Sequence, residues 1–451
     1  MQNYFKDLYN NKIKIAYKRQ NMVDYVKEFK TTLVKDILDF NKLEPEIISK
    51  LELGDLENSP FNKLSGGEQQ RIVCLYIYQK NADVYIFDEP TNYLDIKQRL
   101  LICDIIRSKA SSKTYVVVID HDISILDYIS DTVSIMYGKS GAYGVISMPY
   151  NTAEAINMFF DGYIPSENMK FRNHSFKYGK KLELGIEAED IMKDVTNIEY
   201  PEINIEYTGF KSVVDKGSFL NKSSVTVVLG ENGTGKSSFI KKFCENLEMS
   251  YAVKPQYPNF SKIKGKNMTV NMFLLKTIKE SMCSPMFKSD VLNPLKINKI
   301  MDKYLDELSG GEQQRVSIAH CLGKNVDVFI LDEPSASLDI EQRVNFVKAL
   351  KRFVAHNKKI AFMVEHDISV ALSVSQELNS QVIVFEKLKE NDAIRYSKGS
   401  SPVDLNTGMN KFLKILNVTF RKSQKTKRAQ INKKDSQRDN EQKKTGTYFI
   451  Y

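Results

Sequence analysis

Residues 230–237 read Gly-Glu-Asn-Gly-Thr-Gly-Lys-Ser. This is G-x-x-x-x-G-K-[ST], a loop whose glycines let backbone N–H groups close around phosphate oxygens. A lysine at the seventh place reaches the β- and γ-phosphates, and the next hydroxyl is placed for Mg²⁺. Gly230, Glu231, Asn232, Gly233, Thr234, Gly235, Lys236, Ser237 and Ser238 are therefore candidate ligands for a nucleotide and its metal. The loop needs a strand before it and a helix behind it, with the helix N-terminus facing the anion. The apolar run VTVVL at 225–229 and the amphipathic KSSFIKKFCENL after it supply both.

More chemistry-bearing residues recur at a fixed offset. LSGGEQQR occurs at 64–71 and again at 308–315. DEP occurs at 88–90 and 332–334, followed by Asp95 and Asp339. A His-Asp pair stands at 121–122 and 366–367. An offset of 244, drifting to 245 at the histidines, means two copies of one domain. In each copy a run ending in acids (DVYIF, DVFIL) and a run ending at the histidine (YVVVI, IAFMV) read as buried strands, separated by helical stretches such as IKQRLLICDIIR and IEQRVNFVKALKRF. Strands alternating with helices predict parallel α/β sheets. These motifs, in this order, resemble an ATP-binding cassette, which implies Mg²⁺ at Asp88 and Asp332 and a base on the attacking water at Glu89 and Glu333. The same resemblance implies a γ-phosphate contact for His121 and His366, which share a repeat position. His174, His320 and His356 read as ordinary surface or core histidines. Gln20 and Gln256, in YKRQN and VKPQY, are candidate sensors of Mg²⁺ and γ-phosphate, and Tyr200 or Tyr207 could stack on a base.

Composition bounds the rest. At 451 residues the chain predicts two or three domains. No apolar run approaches membrane-spanning length, so no membrane partner is expected. Five scattered cysteines, with no C-x-x-C, support neither zinc nor an iron–sulfur or disulfide framework, and suit a reducing compartment. From Lys411 onward twelve Lys/Arg face three Asp/Glu, which accounts for the whole net charge of +9. The basic character therefore sits in the tail, expected to be an ordered element with a basic face that could contact rRNA.

The amino end is incomplete as a repeat. Subtracting 244 from Gly230 places the first phosphate loop near position −14, and residues 1–60 contain no such motif. The expectation is that Met1 is an internal start or a fragment boundary. The domain reading is 1–136, a first nucleotide-binding domain without its phosphate loop; 137–172, a packed hinge; 173–400, a complete second domain; and 401–451, a C-terminal hinge and basic tail.

The phosphate loop, LSGGE, the strand ending in Asp-Glu-Pro, the further Asp and the strand-terminal His resemble, in that order, an ATP-binding cassette. The resemblance implies that LSGGE completes the ATP site of the opposite domain. Ser65, Gly66 and Gly67 would close the site on the second loop, and Ser309, Gly310 and Gly311 the other. Within that superfamily the hinge motifs GAYGV, MP and DGYIPSEN and the tail motifs GMNKFL, TFR, INK, EQKK and GTYF are similar to the class E ribosome-recycling ATPases, the RNase L inhibitor family. That resemblance implies ATP and Mg²⁺ as cofactors, and hydrolysis coupled to splitting ribosomes after termination or stalling. It further implies the small ribosomal subunit, release-type factors and initiation factors as partners, and a cytoplasmic location with nuclear shuttling. Iron–sulfur clusters are implied only where a further domain lies upstream. A nucleotide-gated ribosome-binding scaffold with one working site and a transporter's ATPase component remain the alternatives.

Overall fold

The computed structural model describes residues 13–139, 142–173, 175–176, 195–207, 209–258, 260, 268–375, 378–388, 395–423 and 429–450. His174 lies outside them. The chain divides into two compact units, Met1–Phe159 with Tyr163–Phe171, and Phe160–Gly162 with Arg172–Tyr451.

The first unit is built on strands β1 (Ile15–Lys18), β2 (Val84–Asp88) and β3 (Tyr115–Ile119), and on helices α1 (Gly66–Tyr78) and α2 (Ile96–Ser108). The strands are parallel in the order β1-β2-β3, with Ile15 opposite Val84 and Val84 opposite Tyr115. Both helices begin at side-chain caps. Ser65 and Glu68 form a reciprocal capping box at α1, and Asp95 accepts from the Gln98 N–H at α2. The expectation that YVVVI is a buried strand fails. Tyr115, Val117 and Ile119 of β3 are exposed, as are Ile15 and Tyr17 of β1. Among the described residues no strand pairs with the outer edge of β3. An apolar run alone does not distinguish a strand covered on two faces from one covered on a single face.

The described residues of 137–172 fold as a packed element. A hairpin of Met136–Lys139 with Tyr143–Ile146 precedes the helix Thr152–Asp161. Ile135, Ala155, Met158 and Ile164 form a small core bordered by Tyr137, Tyr150 and Phe171. Glu167, from the DGYIPSEN stretch, accepts hydrogen bonds from the Tyr150 hydroxyl (3.0 Å) and the Met148 N–H (3.0 Å).

The second unit holds a nine-stranded sheet. Its main path uses β4 (Ile203–Tyr207), β5 (Phe210–Val214), β6 (Ser224–Gly230), β7 (Tyr251–Lys254), β8 (Val328–Asp332), β9 (Ile360–Val364), β10 (Asn379–Lys387) and β11 (Arg395–Gly399). The order is β4-β5-β11-β10-β6-β9-β8-β7, with a short strand at Val403–Asp404 against β10. Strands β10, β6, β9, β8 and β7 run parallel in succession. The trio β7-β8-β9 repeats β1-β2-β3, and β6 occupies the place beside β9 that stays open beside β3. All residues of β6, β8 and β9 are buried, as befits parallel strands covered on both faces. Their core joins Phe219, Phe239, Phe243, Phe362 and Phe385. Helix α3 (Lys236–Asn246) follows the phosphate loop, α4 (Gly310–Leu322) starts at Ser309 with the same capping box as α1, and α5 (Ile340–His356) starts at Asp339.

The basic tail is ordered where described. Helix α6 (Leu405–Leu416) packs on β10; strands β12 (Phe420–Lys422), β13 (Ala429–Ile431) and β14 (Phe449–Ile450), with helix α7 (Gln437–Thr445), complete the chain. Buried Asp439 accepts from the Thr419 hydroxyl (2.6 Å), and the Asn432 amide donates to Thr419 Oγ1 (2.9 Å). Residues 424–428 of the charged stretch lie outside the described part.

Candidate nucleotide site

The phosphate loop leaves the end of β6 and enters α3. Gly233 and Gly235 have φ of 75° and 86°, left-handed conformations that favour glycine. A Cβ at Gly235 would stand 2.7 Å from the Phe210 ring. Buried Thr234 ties the loop to itself and to the sheet: its hydroxyl donates to Glu231 O (2.8 Å), and its carbonyl accepts from Ser397 Oγ (2.9 Å). Lys236 Nζ donates to Gly230 O (3.0 Å) and Glu231 O (2.6 Å), which curls it over the loop. Asn232 and Ser238 are partly exposed, and Ser237 is exposed at the start of α3. Tyr207 is exposed at a hairpin end, opposite Phe210. Tyr200 is not available to a base: it is packed in the core against Phe219 and Phe243.

The acids sit where β8 ends beside the loop. Ser237 Oγ donates to Asp332 Oδ2 at 2.9 Å. Asp332 Oδ1 is buried with no hydrogen-bond partner. A hydroxyl and an orphaned carboxylate oxygen fit a hard cation that prefers oxygen ligands. Burial is the main reason that the Asp332 carboxyl is raised from its usual range. Glu333 is different. Burial would raise it too, but the neighbouring His366, the Gln256 hydrogen bond and the Lys236 charge hold it down to about 2. Its Oε1 is 3.3 Å from His366 Nε2. Glu333 is thus a carboxylate fixed between the glutamine, the histidine and the phosphate lysine, able to orient a water beside a γ-phosphate.

The same triad stands in the first unit. Gln20 Nε2 donates to Glu89 Oε1 (2.7 Å), and His121 Nε2 lies 3.0 Å from the same oxygen. Burial is again opposed, chiefly by His121, and the Glu89 carboxyl ends below its usual range. His121 is far more open than His366. Asp88 has a substitute partner, the Tyr17 hydroxyl at 3.1 Å. The two signatures are placed alike: Ser65, Gly66, Ser309 and Gly310 are exposed at helix starts, while Gly67 and Gly311 lie partly covered behind them. Their N–H groups face outward at a helix N-terminus, where an anion is favoured.

Sequence reasoning missed several contributors. Arg99 Nη1 binds Asp122 (2.9 Å) and Arg343 Nη1 binds Asp367 (2.6 Å), which ties the helix after each DEP loop to the residue after each histidine. The acid before each histidine also serves. Asp120 accepts from the Thr91 hydroxyl (2.5 Å), and Glu365 accepts from the N–H groups of His366 (2.8 Å) and Asp367 (3.0 Å). Burial pushes the Glu365 carboxyl up to about 7. Lys18 and Lys254 are the largest omission. Their signal was the Lys-x-Gln shared by YKRQ and VKPQ.

Of the histidines set aside earlier, His320 lies against the Phe273 ring, and His356 bonds to Asp290 (2.6 Å).

A strand, a phosphate loop, an acid pair and a switch histidine in this arrangement define an ATPase of the ATP-binding-cassette class. A family model described as ABC transporter matches residues 5–92 and 218–336. The chain is 40% identical over 459 residues to "ABC transporter E family member 1" of Arabidopsis thaliana, covering all of this chain and 74% of the relative. It is 41% identical over 457 residues to "Translation initiation factor rli1" of Schizosaccharomyces pombe, with the same coverage. Among solved structures, the complex of archaeal ribosomal stalk protein aP1 and archaeal ribosome recycling factor aABCE1 matches with a TM-score of 0.85 and 34% identity, over all of this chain and 86% of that one. The chain belongs to the class E ATP-binding-cassette family, that of the RNase L inhibitor. No helix among the described residues is long and apolar enough to cross a membrane.

Proposed function

We propose that this protein uses ATP binding and hydrolysis to separate ribosomal subunits, working in the cytoplasm. Its likeness over the full chain to a translation factor and to a ribosome recycling factor supports that reading. The observation that carries the chemistry is the Gln256–Glu333–His366 constellation beside a complete phosphate loop. In this reading the N–H groups of residues 230–238 and Lys236 hold the phosphates. Ser237 and Asp332, with Gln256 alongside, would hold Mg²⁺, which would supply charge neutralisation at the phosphates. Glu333 orients and deprotonates the attacking water, and His366 fixes Glu333 and meets the γ-phosphate. Asp88, Glu89, His121 and Gln20 are the corresponding groups of the first cassette. The signatures Ser65–Gly67 and Ser309–Gly311 serve nucleotides held by an opposing cassette. Binding and positioning account for most of such a reaction. The partners in this proposal are the small ribosomal subunit, release-type and initiation factors, and rRNA at the basic tail.

Glu333→Gln keeps the shape and removes the base. ATP binding is expected to persist while single-turnover hydrolysis falls by about 10²-fold or more. Ribosomes analysed on sucrose gradients should be split by the parent chain with ATP and not without nucleotide. Parent-rate hydrolysis by Glu333→Gln would remove Glu333 from its role, and intact ribosomes under all conditions would remove the recycling reading. A second reading, a nucleotide-gated ribosome binder, is favoured by the single phosphate-loop motif in 451 residues. ATP-dependent ribosome binding without any single-turnover hydrolysis would establish it.

A further inference from the structure

Lys18 and Lys254 are both fully buried. Lysine is almost never found so without a charged partner. Among the described residues, neither makes a salt bridge. Their partners are backbone carbonyls, and in both cassettes these include the two carbonyls of the Asp-Glu pair. Lys254 Nζ donates to Asp332 O (2.9 Å), Glu333 O (3.1 Å) and Gln256 O (3.4 Å). Lys18 Nζ donates to Asp88 O (2.8 Å) and Glu89 O (3.2 Å).

Those carbonyls belong to a strained turn. Glu333 has φ of 44° and Glu89 φ of 47°, left-handed values that a residue with a side chain rarely adopts. The turn aims the glutamate carboxylate back towards the glutamine and the histidine. It also turns two successive carbonyls into the protein, where they need donors. An ammonium has three N–H groups and can serve several carbonyls at once. The signature helix joins the same cluster: Gln314 Nε2 donates to Gln256 O (3.2 Å), and Gln70 Nε2 donates to Glu89 O (2.8 Å).

We propose that Lys254 is a positioning residue for hydrolysis: its ammonium clamps the left-handed turn at Glu333 to the carbonyl of Gln256, so the loop that meets the γ-phosphate and the water-orienting carboxylate move as one. Lys18 holds the corresponding turn through the Asp88 and Glu89 carbonyls. Lys254 Nζ is taken up by backbone carbonyls and acts through Glu333. A buried ammonium held only by carbonyls is costly. Two cassettes nonetheless place it in one register, under the left-handed glutamate beside the reacting atoms. An apolar residue would fill the space but remove the donor that joins the carbonyls of Asp332, Glu333 and Gln256.

The proposal rests on the assignment of Glu333 made above, so the experiment includes Glu333→Gln. Lys254→Met, Glu333→Gln and the double variant are made in the 451-residue chain. Single-turnover hydrolysis and the affinity for a fluorescent ATP analogue are measured for each. For Lys254→Met the single-turnover rate is expected to fall about 10- to 100-fold, as for a misaimed catalytic group, with affinity changed less than about threefold. In the Glu333→Gln background Lys254→Met should cost nothing further, because the group it aims is gone. Losses that multiply in the double variant, or an affinity loss as large as the rate loss, overturn the proposal. An undiminished rate in Glu333→Gln alone would instead overturn the assignment of Glu333. Should Lys254→Met fail to fold, Lys254→Arg keeps the charge but splays its donors. The same split between rate and affinity supports the clamp, and a parent-like rate overturns it.

Discussion

Val117 and Phe362 hold the same repeat position, yet the structure gives them different surroundings. Val117, on β3, is 46% exposed, and Phe362, on β9, is 1% exposed. Phe362 lies 4.8 Å from Phe243 and 5.3 Å from Phe219, ring centre to ring centre. Truncating it to alanine removes a packed ring from the core and should cost about 3–5 kcal/mol. Val117→Ala removes two methyl groups at about 0.8 kcal/mol each when fully buried, so half-burial leaves roughly 0.8 kcal/mol. No cavity cost is added, because the face is open. The assay is native-state hydrogen exchange read by mass spectrometry on peptides covering each strand, since cooperative units open separately. Phe362→Ala should speed exchange at β9 by about 10²-fold or more, and Val117→Ala should speed exchange at β3 by about fourfold. Comparable acceleration at both strands would mean that the β3 face is covered in solution, and would refute the reasoning from exposure.

Other expectations follow from the same geometry. Gly235→Ala should lower affinity for a fluorescent ATP analogue about tenfold or more, because a left-handed alanine costs about 1–2 kcal/mol and its Cβ meets the Phe210 ring; an unchanged affinity would show that the loop relaxes freely. Burial first, and then Lys324, push His320 down to about 4. Its neutral form is therefore the one that the fold accommodates, and the unfolded chain binds the proton more readily between about pH 6.5 and 4. Stability is intact above that window and falls as pH drops through it, by roughly 1 kcal/mol at pH 5 after allowing for partial exposure. His320→Phe should flatten that part of the acid limb in urea unfolding at pH 7 and pH 5, and an unchanged slope would exclude the residue.

The sequence by itself determined the elements of the chemistry. A phosphate loop is written in consecutive residues because one turn and one helix start must supply all its N–H groups, so residues 230–237 could be recognised without coordinates. The signatures, the acid pairs and the histidines repeated at a fixed offset, and residue identity at each place carried the function. Tertiary structure decided what depends on partners far away in the chain. Tyr200 reads as a free aromatic until the aromatic core closes over it. YVVVI and IAFMV have the same apolar character, yet among the described residues only the second has a neighbour strand at its outer edge, and only the second is buried throughout. Lys254 looks like one more surface charge, because its partners are the carbonyls of residues 332 and 333, some eighty positions away. Backbone carbonyls carry no side-chain signature, so a lysine that works on them can be seen only when the strands are side by side.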